Sequence, residues 1–157
     1  MTQSSLELEV VPFKAYLIPD VLRQQIETMN SYFGWSQSMT QQDFQNPNAE
    51  YYVMLKGTVV LGYVALHLII DEATINMIYL EPEFRQQGLA TALMNFVIDQ
   101  LTARKLKHLF LEVRESNWTA RKLYQRTGFQ ELTIRHNYYS NPSENGVIMQ
   151  RDLNQIA

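Results

Sequence analysis

The sequence contains no cysteine among its 157 residues. That absence excludes disulfides, thiolate nucleophiles and cysteine-ligated zinc, and it is compatible with a reducing compartment. Basic residues are not in excess either, because 13 Lys and Arg against 16 Asp and Glu leave a formal net charge of −3. A nucleic acid is therefore not expected as the main ligand. The histidines, His67, His108 and His136, lack metal-ligand spacing, so we expect no metal.

Long hydrophobic runs are also missing. The longest, residues 59–70, includes His67 and is too short to cross a bilayer. The first residues are acidic where a signal peptide would be basic and then apolar. We therefore expect a cytoplasmic protein with no membrane partner. Its length and its 46% share of hydrophobic residues, with no repeat or linker, predict one domain over residues 1–157.

The pattern of apolar residues predicts a mixed order of strands and helices. Alternation marks the strands, helical spacing marks the helices, and Pro or Gly stands at several of the boundaries. The result is an α/β sheet with helices packed on it. Strands are predicted at 6–13, 50–56, 59–70, 73–80, 108–114, 129–135 and 147–153, and helices at 19–34, 39–44, 88–104 and 117–126.

A polar loop follows the fourth strand and opens the long helix. A helix start leaves its first N–H groups unpaired and carries partial positive charge, which suits a phosphate diester. Gly88 allows a close backbone approach because it has no Cβ. The loop lacks the Walker sequence and the three-glycine dinucleotide fingerprint, and an ordinary turn that starts a helix stays an alternative. The candidate phosphate-binding residues are Arg85, Gln86, Gln87, Gly88, Leu89, Ala90 and Thr91.

This loop, with its Arg/Gln-x-x-Gly-x-Gly/Ala pattern, resembles the acetyl-CoA loop of the GNAT N-acetyltransferase superfamily. Further motifs follow the order of the RimI-like branch, the ribosomal-protein-alanine N-acetyltransferases, over roughly residues 35–153. RimI-like loops often carry a basic residue where this chain has Gln86, so either Arg85 or backbone N–H groups would replace that contact. The motifs are 71–74 (DEAT), 80–84 (LEPEF), 111–114 (LEVR), 116–117 (SN), 123–124 (LY), 128–129 (GF) and 135–139 (RHNYY).

The resemblance implies a GNAT fold, a mixed and mostly antiparallel sheet of six or seven strands with about four helices, splayed near Leu80 and Glu112. It implies acetyl-CoA as the donor and, as acceptor, the N-terminal alanine of a small-subunit ribosomal protein. The backbone of Ile78, Tyr79 and Leu80 would pair with the pantetheine arm. Acceptors such as another peptide, a lysine or a small amine stay open, as do a non-catalytic acetyl-CoA-binding module and the oligomeric state.

Two residues are candidates for proton transfer. Glu112 lies in an otherwise apolar strand, where alternation places it on one face with Phe110 and Arg114. A solvated Glu112–Arg114 pair is the alternative to a catalytic role. Tyr124 can donate a proton, because a phenol has a pKa near 10, or it can simply pack. The resemblance places Glu112 on the family's proton acceptor, acting directly or through water, and Tyr124 on its proton donor.

The remaining candidates border these two. Asn117 should cap its short helix, and the resemblance adds a contact to CoA. Trp35, Arg114, Tyr138 and Tyr139 are candidates for the acceptor site, where aromatic and polar groups would receive an extended N-terminal peptide. Exposed hairpin residues without a function are the alternative. With no cysteine nucleophile, direct transfer between two bound substrates is expected.

Overall fold

The computed structural model describes residues 7–140 and 142–153. The start of the first predicted strand at Leu6, and Asn141 in the predicted final loop, lie outside these residues. Two short 3-10 turns, Ala15–Leu17 and Pro82–Phe84, accompany the main elements. The strands are β1 Leu8–Lys14, β2 Ala49–Lys56, β3 Val59–Ile69, β4 Glu72–Leu80, β5 His108–Arg114, β6 Gln130–Tyr139 and β7 Glu144–Asp152, and the helices are α1 Asp20–Ser31, α2 Gln37–Gln45, α3 Leu89–Ala103 and α4 Trp118–Arg126.

The strands form one seven-stranded sheet in the order β1-β2-β3-β4-β5-β7-β6. Only the β4–β5 pair is parallel among the described strands, because the connection between them contains α3. The predicted mixed, mostly antiparallel sheet with four helices is confirmed.

No helix within residues 7–140 and 142–153 has both the length and the apolar character needed to span a bilayer.

The side chains of strand β4 switch between the two faces of the sheet halfway along the strand. Its pairing with β3 slips by one residue, so that Ala65 pairs with Met77 while Leu66 pairs with Ile75. Asn76 is therefore an extra residue in β4, and a bulge of this kind reverses the side-chain alternation beyond it. The parallel pairing with β5 stops at the same level, at Ile75 and Leu111. The two strands diverge beyond this point, as the predicted splay requires.

Each face of the sheet carries its own apolar cluster. Helices α3 and α4 pack on one face, and α1 and α2 pack on the other. The bulge sends Ile75 to the α3 side and Met77 and Tyr79 to the α1 side. In β5 the predicted alternation holds, since Leu109, Leu111 and Val113 are buried against the α3 side. Glu112 consequently lies on the α1 side of the sheet.

His67 is a hydrogen-bonded residue of β3. Its Nε2 lies 2.6 Å from Asp43 Oδ1, and the other oxygen of that carboxylate accepts from the buried Tyr51 hydroxyl at 2.6 Å. Asn30 joins the same buried region, because it accepts from the Tyr63 hydroxyl and donates to Thr40 Oγ1 at 3.1 Å. These bonds attach α1 and α2 to β2 and β3.

Several predicted boundaries are wrong. The final hairpin is longer than predicted, because β6 continues to Tyr139 and β7 begins at Glu144. Every β6 residue up to Tyr138 is exposed, so this edge strand lacks the alternation by which a strand is recognised. The β3–β4 turn is at Ile70 and Asp71 rather than 71–72.

Candidate active site

The divergence of β4 from β5 leaves a cleft of about 620 Å³ between the end of β4, the start of α3 and one side of α4. Most of the residues predicted to bind the donor meet here. They lie far apart in the sequence, and only the splay brings them together. The predicted residues that line the cleft are Ile78, Tyr79, Leu80, Arg85, Gln86, Gly88, Ala90, Thr91, Asn117 and Tyr124.

Helix α3 begins at this cleft without a side-chain cap. Gly88 is the N-cap residue, with φ 80° and ψ 2°, and it has no side chain to accept from the first amides. The first helical bond runs from Ala92 N to Gly88 O. In α4, by contrast, Asn117 Oδ1 accepts from Ala120 N at 3.2 Å, which confirms its predicted capping role. The α3 amides are therefore the ones available to an anion.

The side chains before Gly88 have separate roles. Arg85 Nε donates to Leu80 O at 2.7 Å, and its guanidinium lies 5.6 Å from the Tyr79 ring centroid. Arg85 thus holds positive charge beside the end of β4. Gln87 binds back to Glu83 O at 3.0 Å, and Leu89 packs on the core. The side chains of these last two predicted residues do not line the cleft.

An aromatic wall from the end of α1 closes one side of the cleft. Tyr32 and Phe33 line it, and their rings lie 5.8 and 5.6 Å from that of Tyr79. Tyr79 donates a hydrogen bond to Glu81 at 3.2 Å, and burial followed by the charge of Glu81 raises the pKa of Tyr79. Trp35, predicted for the acceptor site, does not line the cleft and packs against the α1–α2 cluster, which includes Tyr79.

Other lining residues were missed by the sequence prediction. Tyr32 and Phe33 could have been found from the sequence, since they are two adjacent aromatic residues directly before Gly34, where the first helix was predicted to end. The indication in the sequence was weaker for four residues of α4, because only helical spacing places them near Tyr124. These α4 residues are Thr119, Ala120, Leu123 and Arg126.

Tyr124 faces the cleft from α4 with a free hydroxyl. Its side chain is 5% exposed and its ring contacts Phe129 edge-on at 5.7 Å. Within the described part of the chain, the hydroxyl has no hydrogen-bond partner. Burial, and then the neighbouring Tyr139, raise the pKa of Tyr124. The phenol therefore keeps its proton at neutral pH and can donate it.

Replacing Tyr124 with phenylalanine should lower turnover about tenfold without lowering the melting temperature. No hydrogen bond is lost, so stability is retained. The kinetic effect is modest because a thiolate, with a thiol pKa near 8.5, leaves without full protonation. Steady-state kinetics with a melting curve measure both. A lower melting temperature at full specific activity would assign Tyr124 to packing alone.

Glu112 has one paired and one unpaired carboxylate oxygen. Oε1 accepts from Arg135 Nη1 at 2.9 Å, whereas Oε2 is buried and has no partner among the described residues. The alternative pairing with Arg114 is wrong, because Arg114 binds Glu144 Oε1 at 3.4 Å and the carbonyl oxygen of Ser140 at 3.1 Å. A buried oxygen without a partner is unusual and marks a position where a ligand can bind.

Tyr138 and Tyr139 lie beside that free oxygen. Their rings meet edge-to-face at 5.0 Å, and a Cβ added to Gly146 would lie 3.2 Å from each ring and from Glu112 Oε2. Burial, and then the charge of Glu112, raise the pKa of Tyr139. Tyr139 in turn contributes, after burial, to the raised pKa of Tyr124, and Glu112 itself does not line the cleft.

Glu144 pins the β6–β7 turn to the end of β5. Oε2 accepts from Ser116 N at 2.5 Å and Oε1 from Arg114 Nη1 at 3.4 Å. The bond from Ser116, followed by Arg114, lowers the pKa of Glu144 below its ordinary value. Because the folded-state pKa is depressed, the ionised carboxylate stabilises the fold at a pH above the unfolded-state pKa of about 4.3. This stabilisation is lost as the pH falls through the folded-state pKa.

Glu144→Gln should consequently destabilise the protein at pH 7 and lose that effect in acid. Glutamine keeps the size of the side chain but not the charge that attracts Arg114. Urea unfolding at pH 7, 5 and 3, rough steps across the carboxylate range, measures the difference between the two proteins. A difference that stays constant with pH would mean that the Glu144 charge is not what matters.

The uncapped start of α3 in the cleft, beside the end of β4, is suited to a phosphate-bearing ligand. Residues 21–129 match the acetyltransferase (GNAT) family, and the chain belongs to that family. It is an acetyltransferase, and its family uses acetyl-CoA as donor. The predicted family, fold and enzyme class are confirmed.

Two relatives and one solved structure give the nearer comparison. The chain is 37% identical over 130 residues to the [ribosomal protein bS18]-alanine N-acetyltransferase of Salmonella typhimurium, covering 80% of this chain and 85% of that one. To the Haemophilus ducreyi enzyme of that name it is 43% identical over 93 residues, covering 57% of this chain and 64% of that enzyme, just under two thirds of its length. The crystal structure of the Escherichia coli ribosomal-protein-S18-alanine N-acetyltransferase superposes with TM-score 0.81 at 27% identity, over 95% of this chain and 97% of that one.

Proposed function

We propose that this acetyltransferase moves an acetyl group from acetyl-CoA to the N-terminal alanine of a small-subunit ribosomal protein. The similarity to two enzymes named for that reaction on protein bS18 supports the acceptor. We propose further that the chain is a single domain over residues 1–157, and that it works in the cytoplasm without a nucleic-acid or membrane partner.

The observation that carries the proposal is the uncapped α3 start in the cleft. Its free amides, with Gly88 open in front of them, fit the pyrophosphate of a CoA. Strand β4 beyond Ile75 has no β5 partner, so the backbone of Ile78, Tyr79 and Leu80 fits the amides of a pantetheine arm. Asn117 lies within the same cleft. Acetyl-CoA supplies an activated thioester when bound here.

The proton-transfer groups supply what the reaction needs from the chain. An α-amine has a pKa of about 8 and becomes far more acidic as its nitrogen bonds to the acetyl carbon, so a carboxylate suffices to take its proton. Glu112 Oε2, buried and unpartnered, is suited to this role directly or through one water. Tyr124, with its free hydroxyl in the cleft, is suited to protonate the leaving thiolate.

The acceptor would enter from the α1 side of the sheet. Glu112 faces this side, as does the Tyr79 ring with Tyr32 and Phe33 against it. Tyr138 and Tyr139 border the carboxylate from the other direction, with Arg114 stacked 4.5 Å from the Tyr139 ring. An extended peptide with its amine at Glu112 would lie between these two walls, where its first side chains would meet aromatic surface.

A peptide panel tests the proposal. Short peptides that differ in the first residue are incubated with acetyl-CoA, and the modified amine is located by mass spectrometry. We expect α-amine acetylation of the alanine-initiated ribosomal peptide and none of its N-formylated copy. Preferred acetylation of a lysine or a small amine would reassign the acceptor.

Donor binding is tested separately by a thermal shift. A donor at 100 times its dissociation constant should stabilise the fold by about 2.7 kcal/mol. We expect the shift with acetyl-CoA and not with ATP or NAD. Binding of acetyl-CoA without turnover on any amine would leave a regulatory acetyl-CoA-binding module.

A further inference from the structure

We propose that Arg135 is a positioning residue for Glu112: it fixes one carboxylate oxygen so that the other stays free for the acceptor amine. The proposal rests on the proposed role of Glu112 as proton acceptor. Arg135 lies 23 residues further along the chain and binds Glu112 Oε1 through Nη1 at 2.9 Å. It does not line the donor cleft, so an effect on acetyl-CoA binding is not expected.

The sheet order explains how the two side chains meet. Strand β7 lies between β5 and β6, so a β6 side chain must cross β7 to reach β5. Arg135 pairs in register with Gly146 of β7, and Glu112 pairs with Ile148 two residues further on, which is the same face of that strand. Gly146 has no side chain to obstruct the crossing.

The space over Gly146 is filled closely by the site itself. A Cβ at this position would lie 3.2 Å from Glu112 Oε2, from Tyr138 Cδ2 and from Tyr139 Cε2. The free oxygen and the two phenol rings therefore approach the same point above the bare backbone of Gly146. The position of this oxygen depends on the side chain being held, because a partial rotation of the carboxylate or a change of rotamer would move the unpaired oxygen away from this point.

Tyr138 restrains the guanidinium from the other side. Arg135 Cζ lies 4.1 Å from the centroid of the Tyr138 ring, a distance at which a cation is attracted to the ring face. One planar group is thus held at two points, by the ring and by Glu112 Oε1. A lysine would keep the charge but neither the stacking nor the fixed fork of donors.

The alternative is a surface ion pair without consequence. Arg135 is 50% exposed and Glu112 24% exposed, and pairs of this kind contribute little to stability. That weakness makes the proposal testable, because removing Arg135 should leave the melting temperature nearly unchanged. An effect on turnover would then not come from unfolding.

The first experiment compares Arg135→Gln, Arg135→Lys and Lys107→Gln. Arg135→Gln should lower kcat roughly 10- to 100-fold, because a misplaced catalytic group loses its near-attack geometry. KM for acetyl-CoA and the melting temperature should stay at the wild-type values, and lysine should recover part of kcat. Lys107→Gln removes another ion pair, 3.4 Å from Asp71 at the opposite end of β5, and should change nothing. Wild-type kcat in Arg135→Gln, or a loss confined to KM, would overturn the proposal.

The second experiment is a double-mutant cycle with Glu112→Gln. If Arg135 acts only through Glu112, the double variant should turn over at the rate of Glu112→Gln alone. A further loss in the double variant would overturn positioning and make Arg135 a contact of the acceptor. Wild-type turnover in Glu112→Gln would refute the proposed proton acceptor itself, and that outcome is read from the single variant.

Discussion

Glu112→Gln should lower turnover about 100-fold while acetyl-CoA binds with unchanged affinity. Glutamine has the same shape and can still accept from Arg135, but its amide cannot take a proton from the amine. General-base catalysis contributes about 10²- to 10⁴-fold, and the lower end applies because some of an α-amine with pKa about 8 is already neutral at pH 7. Glu112 lies outside the donor cleft, so donor affinity should not change. Turnover at saturating substrates and calorimetric titration of acetyl-CoA measure the two quantities.

A matched variant separates loss of the base from loss of a charge. Glu72→Gln, at the exposed start of β4, removes one carboxylate from the same sheet and should turn over like the wild type. Unchanged turnover of Glu112→Gln over about pH 6 to 9, a range around the amine pKa, would remove Glu112 from the mechanism. A defect in both variants would point to net charge instead.

Much of the fold could be predicted because its elements carry local signals. Strand β5 has the predicted bounds, and its alternation placed Glu112 on the correct face, since burial of one strand face is read directly from period-two spacing. Asn117 and Gly128 marked the ends of α4 through cap chemistry, with the amide side chain at one end and φ 94° at the other.

The features that shape the site depend on pairing rather than on local sequence. The Asn76 bulge arises from register between β3 and β4, and nothing in 73–80 marks it. Arg135 of β6, and not Arg114 of β5, is the partner of Glu112. Strand β7 lies between β6 and β5, and Gly146 of β7 leaves space for the Arg135 side chain to cross it. A contact of this kind requires knowledge of strand order, which spacing does not give.

The resemblance to the GNAT family grouped residues that local sequence signals could not connect into one site. It placed the loop from Arg85 to Thr91 and the backbone of β4 in one site, and the cleft brings most of them together. It did not point to Tyr32 and Phe33, which line the cleft, and the acceptor-site role of Trp35 stays a prediction. At Gly88 the left-handed backbone and the position in the cleft agree with the motif, whereas an aromatic side chain can be supplied from several positions.

Gly88→Val should weaken acetyl-CoA binding about 100-fold. In the protein alone, a Cβ at this position would meet nothing within 4 Å, so the valine side chain would stand in the open space before the α3 amides. Loss of two charge-assisted hydrogen bonds to a phosphate, at about 1.5 kcal/mol each, corresponds to this change in Kd. The substitution should also lower the free energy of unfolding by about 1–2 kcal/mol, because a β-branched residue is strained at the φ of 80° found here.

Gly57→Val distinguishes the two effects, since Gly57 also has positive φ, 63°, in the β2–β3 turn and does not line the cleft. Both variants should melt at lower temperature than the wild type, and only Gly88→Val should lose donor affinity in a calorimetric titration. If Gly88→Val kept its affinity, the pyrophosphate would not lie at the start of α3. If Gly57→Val lost as much affinity, the effect would be one of stability. The contrast between two glycines with the same kind of backbone strain therefore tests the anion site itself, independently of which amine the enzyme acetylates.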